Sequence, residues 1–263
     1  MTAAPKVVQS LSFGGGVQSN AILVLIAQGR LPKPDVVIIA DTGFEAKATW
    51  GYLDKYGAPL CAKLGIPLMR VSRADTTLAM EYAKPVVTTL NGKKVLNIIP
   101  AFTLDDDGKK GKAPNMCTGK WKVQVVRHCL SKRFPDIKLF HEWIGFSTDE
   151  MRRARRAKID IGKYRHRYPL IEIGISRAEC IKVVEKYGWP TPPRSSCWMC
   201  PNHADVEWRH LRDESPQEFA KAIAFDKRMR EQEITGGYDY YLHRSCKPLG
   251  EAPIDDKTDQ REF

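Results

Sequence analysis

The chain has 263 residues, with 42 Lys and Arg against 31 Asp and Glu and a formal charge of +11. That length allows one large domain or a domain plus an appendage, and no apolar run is long enough to cross a bilayer. The N-terminal MTAAPKVVQS lacks the basic and apolar regions of a secretory signal, so a cytoplasmic protein without a membrane partner is expected, and the positive surplus favours phosphate-bearing partners.

Val7 to Phe13 has the length and β-branched content of a buried strand. Ala21 to Ala27 is apolar almost all round and is followed by Gly29, a helix-terminating residue. Gly14, Gly15 and Gly16 stand between them. The unit reads as strand, glycine turn and buried helix. Glycines leave no Cβ between backbone N–H groups and a ligand, and the helix N-terminus adds partial positive charge. Gly14, Gly15, Gly16, Gln18 and Ser19 are therefore candidates for holding a phosphate; a tight turn that binds nothing is the alternative. A second strand is expected over Asp35 to Ala40, ending in Asp41-Thr42-Gly43, then a helix over Ala46 to Leu64 and a strand over Ile66 to Val71. Strands alternating with helices argue for a parallel α/β sheet, in which ligands sit at the carboxyl ends of strands. Both turns fall at such ends.

Residues 80 to 115 interrupt the alternation. Asn91-Gly92 between β-rich runs signals a hairpin, and DDDGKKGKAPN reads as a polar, mobile loop. A helix is expected over Gly119 to Lys132, a strand over Lys138 to Ile144 and another helix from Thr148. Beyond about residue 170 the strands are expected to stop. Ser176 with Glu179 forms a capping box that opens a helix to Tyr187, and Ser215, Pro216 and Glu218 open another. The expected organisation is an α/β domain over 1–170 with the 80–115 insertion, a helical subdomain over 171–250, and a disordered tail over 251–263. No internal repeat is visible.

Seven cysteines, in a reducing compartment, read as thiols, metal ligands or redox groups rather than disulfides. Cys197 and Cys200 form a C-x-x-C pair able to bite one metal or cluster. A single pair excludes a self-contained four-cysteine ribbon, so other ligands must come from elsewhere in the chain. Cys117 before a helix and Cys246 in a loop-like stretch are the candidates, with His203 and His243 as further options. Cys61, Cys129 and Cys180 sit in helical patterns and read as buried structural thiols. The segment DEMRRARRAKIDIGKYRHR, 149–167, opens as a helix carrying Arg152, Arg153, Arg155 and Arg156. Arginine recognises phosphate bidentately; a merely solvated charged face is the alternative.

Taken in order, SFGGGVQS, IIADTGFE, CTGKWKV, GFSTDEMRRAR, YPLIEI and CWMCP resemble the adenosine-phosphosulfate reductase-like branch of the PP-loop ATP pyrophosphatase superfamily. The resemblance implies a Rossmann-like, adenine nucleotide alpha hydrolase-like parallel sheet that binds ATP or another adenine nucleotide with Mg2+. Ser12, Gly14, Gly15, Gly16, Gln18 and Ser19 would cradle phosphate, and Asp41, Thr42 and Gly43 would lie near the adenosine. Relatives include nucleotide-sulfate reductases, tRNA thiolases and enzymes that place sulfur in DNA, and several carry a [4Fe–4S] cluster on separated cysteines. Two departures stand out. Gly14 and Gln18 replace the Ser and Asp of the family loop, and no cysteine follows Cys246.

The reading that follows is an adenine-nucleotide-dependent sulfurtransferase acting on DNA or tRNA. Cys117, Lys120 and Arg153 would be catalytic, and Arg153 and Arg156 would join Lys120 in contacting phosphate. Cys117, Cys197 and Cys200 would hold the cluster, with Cys246 a fourth ligand or a bystander; Zn2+ is the alternative metal. A cysteine desulfurase is a candidate sulfur donor. The alternatives are a reductase of phosphosulfate nucleotides and a non-catalytic, zinc-stapled nucleic-acid-binding module.

Overall fold

The computed structural model describes residues 7–72, 87–90, 93–96, 99–157, 160–231 and 238–256, with 87–90, 93–96, 160 and 161 described by backbone alone. Among them the strands are β1 Val7–Ser12, β2 Val36–Asp41, β3 Leu68–Ser72, β4 Val87–Leu90, β5 Lys93–Leu96, β6 Phe102–Asp105, β7 Lys110–Lys112, β8 Leu139–Ile144, β9 Asp160–Ile161, β10 Tyr164–Arg167 and β11 Tyr238–Tyr241. The α-helices are α1 Val17–Ala27, α2 Lys47–Tyr52, α3 Ala58–Leu64, α4 Gln124–Arg133, α5 Met151–Arg156, α6 Pro169–Glu172, α7 Arg177–Lys186, α8 Asp205–Glu214 and α9 Pro216–Arg230. The chain divides into two compact units, residues 1–79 with 123–195 and residues 80–122 with 196–263.

The first unit is built on a sheet ordered β3-β2-β1-β8-β10-β9. The first five of these strands run parallel, and β9 pairs antiparallel at the edge. Successive side chains on a strand point to opposite faces. Accordingly Val37 and Ile39 pack with α1 and α7 residues on one face, while Val36, Ile38 and Ala40 pack with Val125, Val126 and Leu130 of α4 on the other. Helices on both faces explain why β2 is a continuous apolar run rather than an alternating one. Ile22, Leu23 and Leu25 of α1 have no exposed surface, and each contributes about 1.5–3 kcal/mol by burial.

The α1 helix begins at Val17, directly after the glycine turn, so Gln18 and Ser19 lie in its first turn, as expected. The expected helix over 46–64 is present but carries a π turn at Leu53–Gly57. Pro59 lies at the start of α3, and its missing N–H removes a helical hydrogen bond there. The arginine-rich segment is helical only through Arg156; Tyr164–Arg167 is a parallel strand beside β8. Tyr164 is buried and stacks on Phe140 at 5.1 Å between centroids, so the alternation Tyr-Arg-His-Arg serves a half-buried strand.

In the second unit β4 and β5 pair antiparallel with Leu90 opposite Lys93, as the hairpin signal anticipated, although residues 91 and 92 lie outside the described residues. The expected mobile loop at 105–115 is instead the turn and second strand of a hairpin. β6 pairs with β7, and β11 pairs with β6 on the other side. The Asp105 carboxylate accepts the N–H groups of Asp107 and Lys109 at 3.2 and 2.8 Å, and Gly108 takes φ +76°. Those contacts form a turn from a run of charged residues. β11 also corrects the expectation of a strand-free C-terminal region: Tyr240 and Tyr241 are buried aromatic residues suited to pairing. The partition differs from the linear division expected at 170, because the chain leaves the first unit after residue 79, returns at 123 and leaves again at 195. Of the expected disordered tail, residues 257–263 lie outside the described residues, while Ile254 is buried. No described helix is long and apolar enough to cross a membrane.

Candidate functional site

In an open α/β sheet the ligand crevice lies where the strand order reverses. Here that place is between β1 and β8, the neighbours from which the order runs outward both ways. The glycine turn follows β1, and Gly145 follows β8. A Cβ on Gly145 would stand 3.4 Å from the Ser19 amide nitrogen and 3.5 Å from Gln18 Cβ, so the two strand ends approach closely.

The loop carbonyls are occupied from within the unit. Asn20 Nδ2 donates to the carbonyls of Gly15 and Gly16 at 3.0 and 2.9 Å, and Ser19 Oγ donates to Gly16 at 3.0 Å. The Ser195 hydroxyl contacts the Gly14 carbonyl and lies 2.8 Å from Glu45 Oε1. Among the described residues, no acceptor takes the N–H groups of Gly14, Gly15 or Gly16, and no side chain caps α1. The loop thus presents donors at the positive end of an 11-residue helix, an arrangement suited to an anion. Gly15 has φ +83°, and a Cβ there would lie 2.5 Å from Thr49 Cγ2, so glycine is required on both backbone and packing grounds.

Beside the loop, Gln18 spans two charged groups. Its Nε2 donates to Glu150 Oε2 at 3.0 Å, and its Oε1 accepts from Arg177 Nη1 at 3.1 Å. An acid at this position would face Glu150; the neutral amide satisfies both neighbours. Arg153 pairs with Glu150 and lies over the Phe146 ring at 4.7 Å. Arg156 is exposed at the end of α5. Asp149 accepts the Arg177 N–H at 2.5 Å, which holds its carboxyl below the usual range. The capping box of Ser176 and Glu179 opens α7 and positions Arg177 as its first residue. At the β2 end, Asp41 accepts the Gly43 N–H at 2.8 Å and lies 3.7 Å from Arg70 Nε. Thr42 is buried and accepts the Phe44 N–H. Arg70 stacks on Trp50 at 3.4 Å. Ser12 ends β1, level with Ile38 and Ile144.

Sequence reasoning missed Asn20, Glu150, Arg177 and Ser195. Only Arg177 carried a local signal, since it follows the capping residue Ser176. The other contacts depend on chain separations such as Ser195 to Gly14.

Cys117, Lys120, Cys197, Cys200 and Cys246 all belong to the second unit. Cys117 is half-buried, with its thiol 3.2 Å from Asn115 Oδ1, and burial raises its pKa. Cys246 is buried at φ +56°, its thiol pointing to the Thr103 carbonyl at 3.7 Å. Burial pushes that thiol up as well, so it stands as a protonated donor. Cys197 and Cys200 flank a turn in which the Cys200 N–H donates to the Cys197 carbonyl at 3.0 Å, and both are half-buried. Lys120 is half-buried in a helical turn, its N–H on the Met116 carbonyl. Among the described residues, no three His, Cys, Asp or Glu side chains are grouped so as to hold a metal ion. As placed, the expected thiols do not form a cage for a cluster or for zinc. Cys61, Cys129 and Cys180 are buried in the core, as expected.

No protein-family model and no curated protein matches the chain. Solved structures similar to it at low identity include the following two. Phosphoadenylyl-sulfate reductase from Candida auris, as a phosphate complex, is 14% identical over 74% of this chain and 83% of its own, with a TM-score of 0.43. The U34-tRNA thiolase NcsA from Methanococcus maripaludis, with its [4Fe-4S] cluster, is 13% identical over 88% of this chain and 75% of its own, with a TM-score of 0.46.

Proposed function

We propose that the chain is an adenine-nucleotide-dependent sulfurtransferase that activates an oxygen of a nucleic-acid substrate by adenylation. The observation that carries the nucleotide half is the glycine loop, whose carbonyls are occupied by side-chain donors and whose amides have no acceptor among the described residues. Such a loop at a helix N-terminus stabilises the negative charge of a departing pyrophosphate. Arg177 and Arg153, placed through Gln18 and Glu150, supply cationic groups on the same rim. The substrate oxygen would attack the α-phosphate and release pyrophosphate. A sulfur nucleophile would then displace AMP and convert a carbon–oxygen into a carbon–sulfur bond.

The sulfur half rests on the ordered sequence motifs and on the half-buried thiols of Cys117, Cys197 and Cys200. A sulfur-donor protein such as a cysteine desulfurase would load one of them as a persulfide, whose terminal sulfur would displace AMP; a second thiol would then break the S–S bond, leaving a disulfide for an external dithiol to reduce. No step runs through a [4Fe–4S] cluster, Zn2+ or Mg2+, since the described thiols are not grouped to hold a metal ion. Lys120 would contact phosphate.

Calorimetric titration with ATP tests the first half: binding in the parent and its loss in Gly15→Ala are expected, and no binding at millimolar ATP overturns the reading. Radiolabelled ATP incubated with tRNA or DNA and a sulfur donor tests the second, and sulfite release from a phosphosulfate nucleotide without AMP release from a polymer replaces it with the reductase. Gln18 favours one further reading, a site that binds ATP without cleaving it, which bound but intact ATP would identify.

A further inference from the structure

The β6–β7 hairpin of the second unit is not used by the nucleotide site. It borders a cleft of about 230 Å³ lined by Thr103, Asp105, Lys109, Lys110, Lys112 and Tyr238, among others. Lys110 and Lys112 alternate along β7 and so share a face, about 7 Å apart. Lys110 Nζ donates to the neutral Ser245 carbonyl at 2.9 Å and has no carboxylate partner among the described residues. Lys112 Nζ donates to Asn202 Oδ1 at 2.7 Å and lies 4.6 Å from the Phe102 ring centroid. Asp105 is the one acid among the named lining residues, and its Oδ1 is taken up by the turn's N–H groups.

The cleft is smaller than the roughly 300–1,000 Å³ of sites that enclose a small molecule. A row of cations on a strand, with a tyrosine beside it, suits an extended polyanion that passes across the cleft and stacks a base. The same strand and the residues that follow it also reach the thiol-bearing segments. Lys110 contacts Ser245, the residue before Cys246; Lys112 contacts Asn202, which follows the Cys197–Cys200 turn; and Asn115 meets the Cys117 thiol.

We propose that this cleft is the docking site for single-stranded nucleic acid, with Lys109, Lys110 and Lys112 on phosphates and Tyr238 against a base. This rests on the nucleic-acid substrate of the proposed function and names where that substrate binds.

The test is fluorescence anisotropy with a labelled 20-nucleotide single-stranded RNA, the same DNA sequence, a duplex and a polyglutamate competitor, using the full chain. Lys109→Ala/Lys110→Ala should weaken single-strand binding about tenfold or more and flatten the log–log salt dependence by about 1.4. Tyr238→Leu should weaken it about tenfold with the salt slope unchanged. ATP binding, measured in parallel, should be retained in both. A preference between RNA and DNA identifies the sugar and supports the site either way. If the double variant melts early, Lys109→Glu at an exposed position carries the test instead. Unchanged single-strand affinity in the lysine variants overturns the proposal, as does equal binding of the duplex or displacement by polyglutamate. Lysine-dependent RNA binding without any ATP binding leaves the docking site standing and removes the nucleotide reading.

Discussion

The two units build their chemistry from different parts of the chain. In the first, the candidate site is mostly backbone: glycine amides at the end of a central parallel strand, fixed by Asn20, Ser19 and Ser195. In the second, the reactive groups are side chains on turns between short antiparallel strands and helices. Charge is buried differently as well. Glu142 on β8 is held by Arg127 of α4 and His166 of β10, whereas Asp226 on α9 accepts the N–H groups of Leu242 and Leu249 at 2.7 and 3.0 Å and pairs with Arg230. A regular sheet supplies its own backbone partners, so its carboxylates can pair with cations. The irregular unit uses a carboxylate to organise backbone that no ladder satisfies.

Removing either anchor should have the largest effect. Asp226→Ala and Arg127→Met should each cost about 3–5 kcal/mol, read by denaturant unfolding, because each strips a buried polar network. If only one does, the two units do not depend on buried charge alike. The pH response separates them further. Burial pushes Glu142 up, but the hydrogen bonds from His166 and Arg127 outweigh it and hold the carboxyl below its ordinary value. Its stabilisation is therefore complete above the unfolded value near 4.5 and is lost as pH falls through the lower folded value. Arg127→Met should weaken that acid dependence.

Gly15→Ala comes next, costing about 2–4 kcal/mol from left-handed backbone and overpacking together. Thr49→Ser removes the clashing methyl and should restore part of that loss, while ATP binding stays impaired. Thiol chemistry then sharpens the contrast. Burial pushes Cys61 up to about 11 and Cys180 up to about 12. Alkylation at pH 7.5 followed by mass spectrometry should label the half-buried Cys197 and Cys200 first, and Cys61 about a hundredfold more slowly or not at all. Equal labelling would erase the distinction between core and candidate thiols. The smallest effect is expected for Ser176→Ala, about 1 kcal/mol from the lost cap of α7, with a shallower ATP titration as Arg177 loses its fixed start.

Much of the first unit was legible. Hydrophobic runs of strand length separated by helical patterns placed β1, β2, β3 and β8 within two residues of their observed bounds. Three glycines after a strand marked the loop, and Ser176 with Glu179 marked the start of α7. The second unit was harder to read because its strands are short, and β7, Lys-Gly-Lys, lay inside the polar stretch 105–115 that looked like a loop until a paired partner satisfied its backbone.

Local pattern alone therefore established the alternating α/β class, the glycine turn and the residues able to carry thiol chemistry, since each depends on neighbours a few positions apart. Folding added the β1–β8 reversal of strand order, the Gln18 link between Glu150 and Arg177, the Ser195 contact with Gly14, and the lysine row beside the cysteine segments. Those features join residues separated by up to 181 positions, and no periodicity in the chain encodes a pairing at that range.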